Sequence, residues 1–234
     1  MSHRYRHIAF DCDGVLWQGT NEGYFHCYHR AAVDAGIHLD FDVARERILA
    51  NWGKSARTEI EGMIPEHPKK VPEVLDRYRK LVRSDLFLGT AALVPGTEAT
   101  LAQLAGSYAL SAITGMNADN LTRLLARFQI RHLFRHAIST AETDDPDKQK
   151  ATGYHLRELM AREGLAPHEV LVVGDATTDV HMARSQGTDI VVVLTGHLSE
   201  NEARQLGVAD ILPAITDLPA WLQAGPHPSG NWWR

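Results

Sequence analysis

The chain has 234 residues, 44% of them hydrophobic and 23% charged, an ordinary globular balance with length for one large domain or a core plus a modest second one. Its net charge of −5 with no basic block argues against a surface built for nucleic acid or an anionic membrane, and no apolar run approaches the roughly 20 residues of a membrane helix. Met1 to Arg6 passes into an apolar run without a signal-peptide core, and two cysteines, Cys12 and Cys27, make no disulfide framework, so the expectation is a soluble cytoplasmic protein.

In chain order, the apolar run His7 to Phe10 predicts a first strand. From Gly19 to Val94 no comparable strand follows. Three helical segments stand there instead: Tyr24 to Ala35, Phe41 to Ala50, and one marked by Val74, Leu75, Tyr78, Leu81 and Val82 after Pro72. A structureless connection of that length is improbable inside a compact domain. Residues 19–94 are therefore expected to form an inserted helical subdomain, closed by Pro95-Gly96, with Thr97 capping the helix that re-enters the core. His26 and His29 flank Cys27 at a spacing that suits ligands on one helix face, but no second ligand cluster follows, and no transition-metal site is expected.

Further strands are predicted at Tyr108 to Ile113, His136 to Ile138, Val170 to Val173 and Ile190 to Leu194. Helical stripes lie between them: Leu121, Leu124, Leu125 and Phe128, then Leu156, Leu159 and Met160, at or near the i, i+3, i+4, i+7 spacing. Strands alternating with helices predict an α/β fold whose parallel sheet is covered on both faces. Residues 1–18 and 95–225 would build this core, with 226–234, including Trp232-Trp233, as an irregular tail. Such sheets bind ligands at the C-terminal ends of their strands.

Two strand ends carry paired carboxylates. Asp11-Cys12-Asp13-Gly14 follows the first strand, and Gly174-Asp175-Ala176-Thr177-Thr178-Asp179 follows Val170 to Val173. Gly14 permits a turn that would let both Asp11 and Asp13 face a pocket, and Asp179 would sit one helical turn after Asp175. Either pair alone has an ordinary explanation, as turn-favouring aspartates or as a carboxylate at a helix N-terminus. Both together are a set of hard oxygen ligands, which suits Mg²⁺. Phosphoryl transfer needs a nucleophile, charge neutralisation and a proton donor for the leaving oxygen. Asp11 can supply the nucleophile, and Asp13 is placed to act as general acid and then base.

With these residues the chain resembles the haloacid dehalogenase superfamily of phosphohydrolases, through four motifs in order: Asp11-Cys-Asp13-Gly-Val-Leu, Ser111-Ala-Ile-Thr114-Gly115, a lysine, and Gly174-Asp175-x-x-x-Asp179. The resemblance implies a three-layer Rossmann-like core. It implies that Mg²⁺ is bound by the Asp11 carboxylate, the Asp13 main-chain carbonyl and Asp175, that Asp179 supports the metal or the lysine, and that Thr114 and the Gly115 amide hold phosphoryl oxygens. Lys150 lies at a family-like spacing before Asp175 and is the favoured lysine, with Lys148 as the alternative. The insertion is similar to the helical cap of the phosphoglycolate phosphatase and β-phosphoglucomutase branch. Within it the segment Asn51 to Arg57 looks like a substrate-specificity loop, so Lys54 and Arg57 are expected to bind an anionic leaving group. The implied activity is Mg²⁺-dependent hydrolysis of a small phosphorylated metabolite through an aspartyl-phosphate. A phosphomutase or a non-catalytic phosphate-binding module are the alternatives on the same fold. The motifs name neither the metabolite nor the oligomeric state.

Overall fold

The computed structural model describes residues 4–51, 55–141 and 145–224. The expected tail, with Trp232-Trp233, and Lys54 lie outside the described residues. Two compact units are present, Gly19–Ala92 and the remainder, Met1–Gln18 with Leu93–Arg234.

The first of these is helical: α1 (Thr20–Asp34), α2 (Phe41–Leu49), α3 (Ala56–Met63), α4 (Val71–Leu81) and α5 (Asp85–Leu88). Its helix starts are written in the sequence. Asp40 accepts hydrogen bonds from the Asp42 and Val43 amides, and Ser55 accepts one from Thr58, each meeting amides that a helix start leaves unpaired. Inside, Tyr28 stacks on Tyr78 with ring centroids 3.9 Å apart and its hydroxyl donates to the buried Glu59 carboxylate. His26 stacks on Phe41 at 4.7 Å, while His29 meets the same ring edge-on and bonds the Leu39 carbonyl. Both rings are packing elements, and neither belongs to a metal-ligand cluster among the described residues.

The second unit is built on six strands: β1 (His7–Phe10), β2 (Ala109–Thr114), β3 (His136–Ser139), β4 (Val170–Gly174), β5 (Asp189–Val193) and β6 (Asp210–Leu212). Their order is β3-β2-β1-β4-β5-β6, and every pairing is parallel. This is the doubly wound α/β arrangement read from the alternation of apolar runs, with one strand more: β6 has only three half-buried residues and gives little apolar signal. All residues of β1 and β4 are buried, as both-face coverage requires. The covering helices include α6 (Thr97–Ala105), α7 (Ala118–Arg127), α8 (Tyr154–Glu163) and α9 (Thr177–Gln186). Leu156, Leu159 and Met160 of α8 and Met182 and Ala183 of α9 pack with Ala9, Ile113, Val170 and Val172 of the sheet.

Thr97 differs from its expected role. Gly96, at φ 84°, precedes α6 and Thr97 is its first helical residue; its hydroxyl is buried without a hydrogen-bond partner. A left-handed glycine makes the chain reversal here, and no side chain caps the helix. No helix among the described residues is long and apolar enough to cross a membrane. The strand order reverses between β1 and β4, and a sheet of this kind opens a crevice at the carboxyl ends of the strands on either side of that point.

Candidate active site

Register brings the acidic residues together. Phe10 lies level with Val173 in the β1–β4 pair, and the Asp11 amide continues the ladder one step by donating to the Val173 carbonyl at 2.8 Å. Past Asp11 the chain turns: the Cys12 carbonyl accepts from the Leu16 amide at 2.8 Å, and the Gly14 amide donates to the Trp17 carbonyl at 2.7 Å. Gly14 takes φ 75° there, a conformation that side chains strain to adopt. A Cβ at Gly14 or at Gly196 would also collide with the Asp175 carboxylate. Both glycines leave room for an acid.

Asp175 is fully buried. Its Oδ2 accepts from the His197 amide at 2.8 Å, and its Oδ1 has no hydrogen-bond partner. Asp179, also fully buried, stands in the first turn of α9. Its Oδ2 accepts from the amides of Asp175 at 3.1 Å and Ala176 at 3.0 Å, the end-capping role any helix-start carboxylate can fill. Its Oδ1 does something else: it lies 2.7 Å from Lys150 Nζ. The same ammonium lies 2.6 Å from Asp11 Oδ1. Lys148 instead pairs with Asp145 at 3.5 Å and lies over the Tyr154 ring. It is Lys150 that the fold delivers to the carboxylates.

Oxygens of Asp11, Asp175 and Asp179 all fall within 4.8 Å of one another. At an effective dielectric of about 20, each pair of unit charges at that separation repels by about 3.5 kcal/mol. Burial, then Asp11 and Asp179, push the Asp175 carboxyl up to about 9. Burial also raises Asp179, against the pull of Lys150. For Lys150 burial opposes the charge, but the attraction of Asp11 and Asp179 prevails and holds its pKa above the usual lysine range. One ammonium does not offset three buried carboxylates. An all-oxygen donor set with an unpartnered buried carboxylate oxygen fits a hard divalent cation such as Mg²⁺.

Asp13 is half-buried, and its Oδ1 accepts from the Trp17 indole at 2.9 Å. Thr114 closes β2, is buried, and accepts from the Met116 amide at 3.2 Å; Ala112 pairs with Phe10, so Thr114 ends its strand beside the one that delivers Asp11. Gly115 is exposed, with open space where a Cβ would stand. Arg57 lies exposed on α3, 4.0 Å from Glu61. One contributor escaped the sequence reading. After β5 the segment Leu194–Leu198 crosses to the acids: the Thr195 hydroxyl donates to the Gly14 carbonyl, and the His197 and Leu198 amides donate to the side chain and main chain of Asp175. Its position after a strand paired with β4 was the available signal; its chemistry is mostly main chain.

The family model described as haloacid dehalogenase-like hydrolase matches residues 8–193, spanning both acidic strand ends and Lys150. The chain belongs to that family. Among its relatives, the phosphoglycolate phosphatase of Synechococcus elongatus is 34% identical over 225 residues, covering 90% of this chain and 97% of that protein. The phosphoglycolate phosphatase of Mesorhizobium japonicum is 28% identical over 197 residues, covering 81% and 83%. The fold is shared with a haloacid dehalogenase-like family hydrolase from Streptococcus pneumoniae, at TM-score 0.76 and 17% identity over 94% of this chain and 99% of that one. It is shared as well with a subfamily IA hydrolase from Geobacter sulfurreducens, at TM-score 0.72 and 20% identity over 94% and 98%.

Proposed function

We propose that this family member is a Mg²⁺-dependent phosphatase that works through an aspartyl-phosphate on Asp11, acting on a small anionic ester with phosphoglycolate as the first candidate. The observation that carries the reading is the meeting of Asp11, Asp175 and Asp179 within 4.8 Å, with the Lys150 ammonium against Asp11 and Asp179. The relatives named for phosphoglycolate support the choice of ester. Both cysteines are buried free thiols, which suits a reducing compartment such as the cytoplasm.

Asp11, the Asp13 carbonyl and Asp175 would hold the cation, with Asp179 behind them. When bound, Mg²⁺ supplies the positive charge that lets an anionic phosphoryl group approach an anionic nucleophile. An Asp11 carboxylate oxygen attacks phosphorus while the ester P–O bond breaks, and its electron pair leaves with the departing oxygen, which takes a proton from Asp13. Water then attacks the phosphorus of the aspartyl-phosphate and gives a proton to Asp13, freeing inorganic phosphate and restoring Asp11. Asp13 thus serves as acid and then as base. Lys150, charged throughout, offsets the negative charge gathered at Asp11. Thr114 and the Gly115 amide hold phosphoryl oxygens, and Lys54 and Arg57 serve the non-reacting part of the ester.

The test is phosphate release from a panel of phosphate esters, with Mg²⁺ and with chelator. Mg²⁺-dependent turnover with the highest kcat/KM on phosphoglycolate is expected. Phosphate binding without hydrolysis of any ester would overturn the reading in favour of a binding module.

A further inference from the structure

We propose that Trp17 is a positioning residue for Asp13: its indole holds one carboxyl oxygen so that the proton passed to the leaving group sits on the other. The inference rests on the reading of Asp13 as the acid–base group. Trp17 is fully buried, and its Nε1–H donates to Asp13 Oδ1 at 2.9 Å. Main-chain bonds make the turn that brings the ring back over four residues: the Trp17 carbonyl accepts from Gly14 at 2.7 Å, and the Trp17 amide donates to Cys12 at 3.2 Å. The ring lies against Phe128 with centroids 5.9 Å apart, and Phe128 is fixed at the end of α7. A rigid, packed donor therefore meets a half-exposed acid at the strand end where the nucleophile stands.

The chemistry follows from what an indole can do. It donates and never accepts. The protonated oxygen of a carboxyl is the weaker acceptor of the two, so the oxygen facing Nε1 is Oδ1 as the carbonyl oxygen, and the acidic hydrogen resides on Oδ2. In the first half-reaction the Oδ2–H bond breaks as the leaving oxygen takes the proton. In the second, a water O–H bond breaks and Oδ2 regains it. Orientation of this kind matters because proton transfer needs the donor within hydrogen-bond reach of the reacting oxygen.

Trp17→Phe keeps an aromatic ring against Phe128 and removes the donor. Replacing the indole by its benzothiophene isostere removes the N–H with the ring shape intact, and serves if the phenylalanine protein does not fold. The Mg²⁺-loaded enzymes are compared on phosphoglycolate, whose alkoxide must be protonated to leave, and on dinitrophenyl phosphate, whose phenolate leaves without a proton. Expected is a loss of about ten- to hundredfold in kcat/KM for phosphoglycolate, part of the roughly 10²–10⁴-fold a general acid supplies, and within about threefold for the dinitrophenyl ester. Mg²⁺ affinity by calorimetry should be unchanged. Adding the Trp17 change to Asp13→Asn should cost nothing further, since one group would act through the other. Equal losses on the two esters, or full additivity, while Asp13→Asn alone discriminates between them, would overturn the role of Trp17 and leave Asp13 in place. If Asp13→Asn itself hits both esters equally, the acid assignment falls and this inference falls with it.

Discussion

Asp175→Asn should make the metal-free protein more stable while ending its turnover. Asp175 is fully buried, its Oδ1 is unpartnered, and burial followed by Asp11 and Asp179 pushes its pKa to about 9, against about 3.9 in an unfolded chain. Between those values the folded state holds a proton that the unfolded state has released, so stability contributed by this group falls as pH rises. At pH 7 the gap is about 3 pH units, which at 1.36 kcal/mol per unit is at most about 4 kcal/mol. Asparagine has no charge to neutralise, keeps an oxygen for the His197 amide, and points N–H groups at the neighbouring carboxylates. At about 2–4 °C per kcal/mol for a chain near this size, Tm in chelator should rise by roughly 10 °C at pH 7. Differential scanning calorimetry between pH 6.5 and 8.5 reads this directly. Wild-type Tm without metal should fall across that range and recover with Mg²⁺, as binding to the folded state requires; the variant should respond weakly to either. A variant that melts below wild type in chelator at pH 8 would refute the claim that these carboxylates are held together at a cost in stability which a cation relieves.

Other expectations are simpler. Lys150→Ala should lower kcat by at least about 10²-fold, the scale of losing one preorganised electrostatic partner, and Lys148→Ala by no more than about threefold; measured turnover in the reverse order would move the role to Lys148. Arg57→Ala should lower kcat/KM for phosphoglycolate about fivefold to tenfold more than for a small aryl ester, the ratio cancelling general damage; an unchanged ratio would make Arg57 ordinary surface. His7 is buried against Ser111 at 2.7 Å, and burial pushes its pKa down to about 4 from about 6.5 unfolded. The unfolded chain therefore protonates first, and roughly 3 kcal/mol is lost as pH falls from 6.5 to 4. Denaturant titrations of His7→Gln should show a shallower acid limb than wild type, and parallel limbs would refute this.

The sheet is legible in the sequence because burial on both faces leaves β1, β2, β4 and β5 as apolar runs between polar turns. β6 is not, since a short edge strand with half-buried residues needs no such run. Asp11 and Asp175 stand out because a carboxylate straight after an apolar strand is chemically conspicuous. Lys150 is favoured over Lys148 by its spacing before Asp175, although its contacts with Asp11 and Asp179 form only when the chain between it and α9 has folded. Trp17 and the Thr195–Leu198 segment act through a hydrogen bond across a turn and through main-chain amides. Nothing in residue type announces either. Thr97 illustrates the opposite failure: a residue with the right chemistry for a cap, beside a glycine whose backbone freedom makes the turn without it.

The central claim is that the phosphoryl group passes through Asp11, and the stereochemical course at phosphorus tests it most directly. With an isotopically chiral phosphate ester and an acceptor alcohol taking the place of water, two successive in-line displacements, first by Asp11 and then by the alcohol, predict net retention at phosphorus in the new ester. Net inversion would mean a single direct displacement, with Asp11 confined to binding the cation.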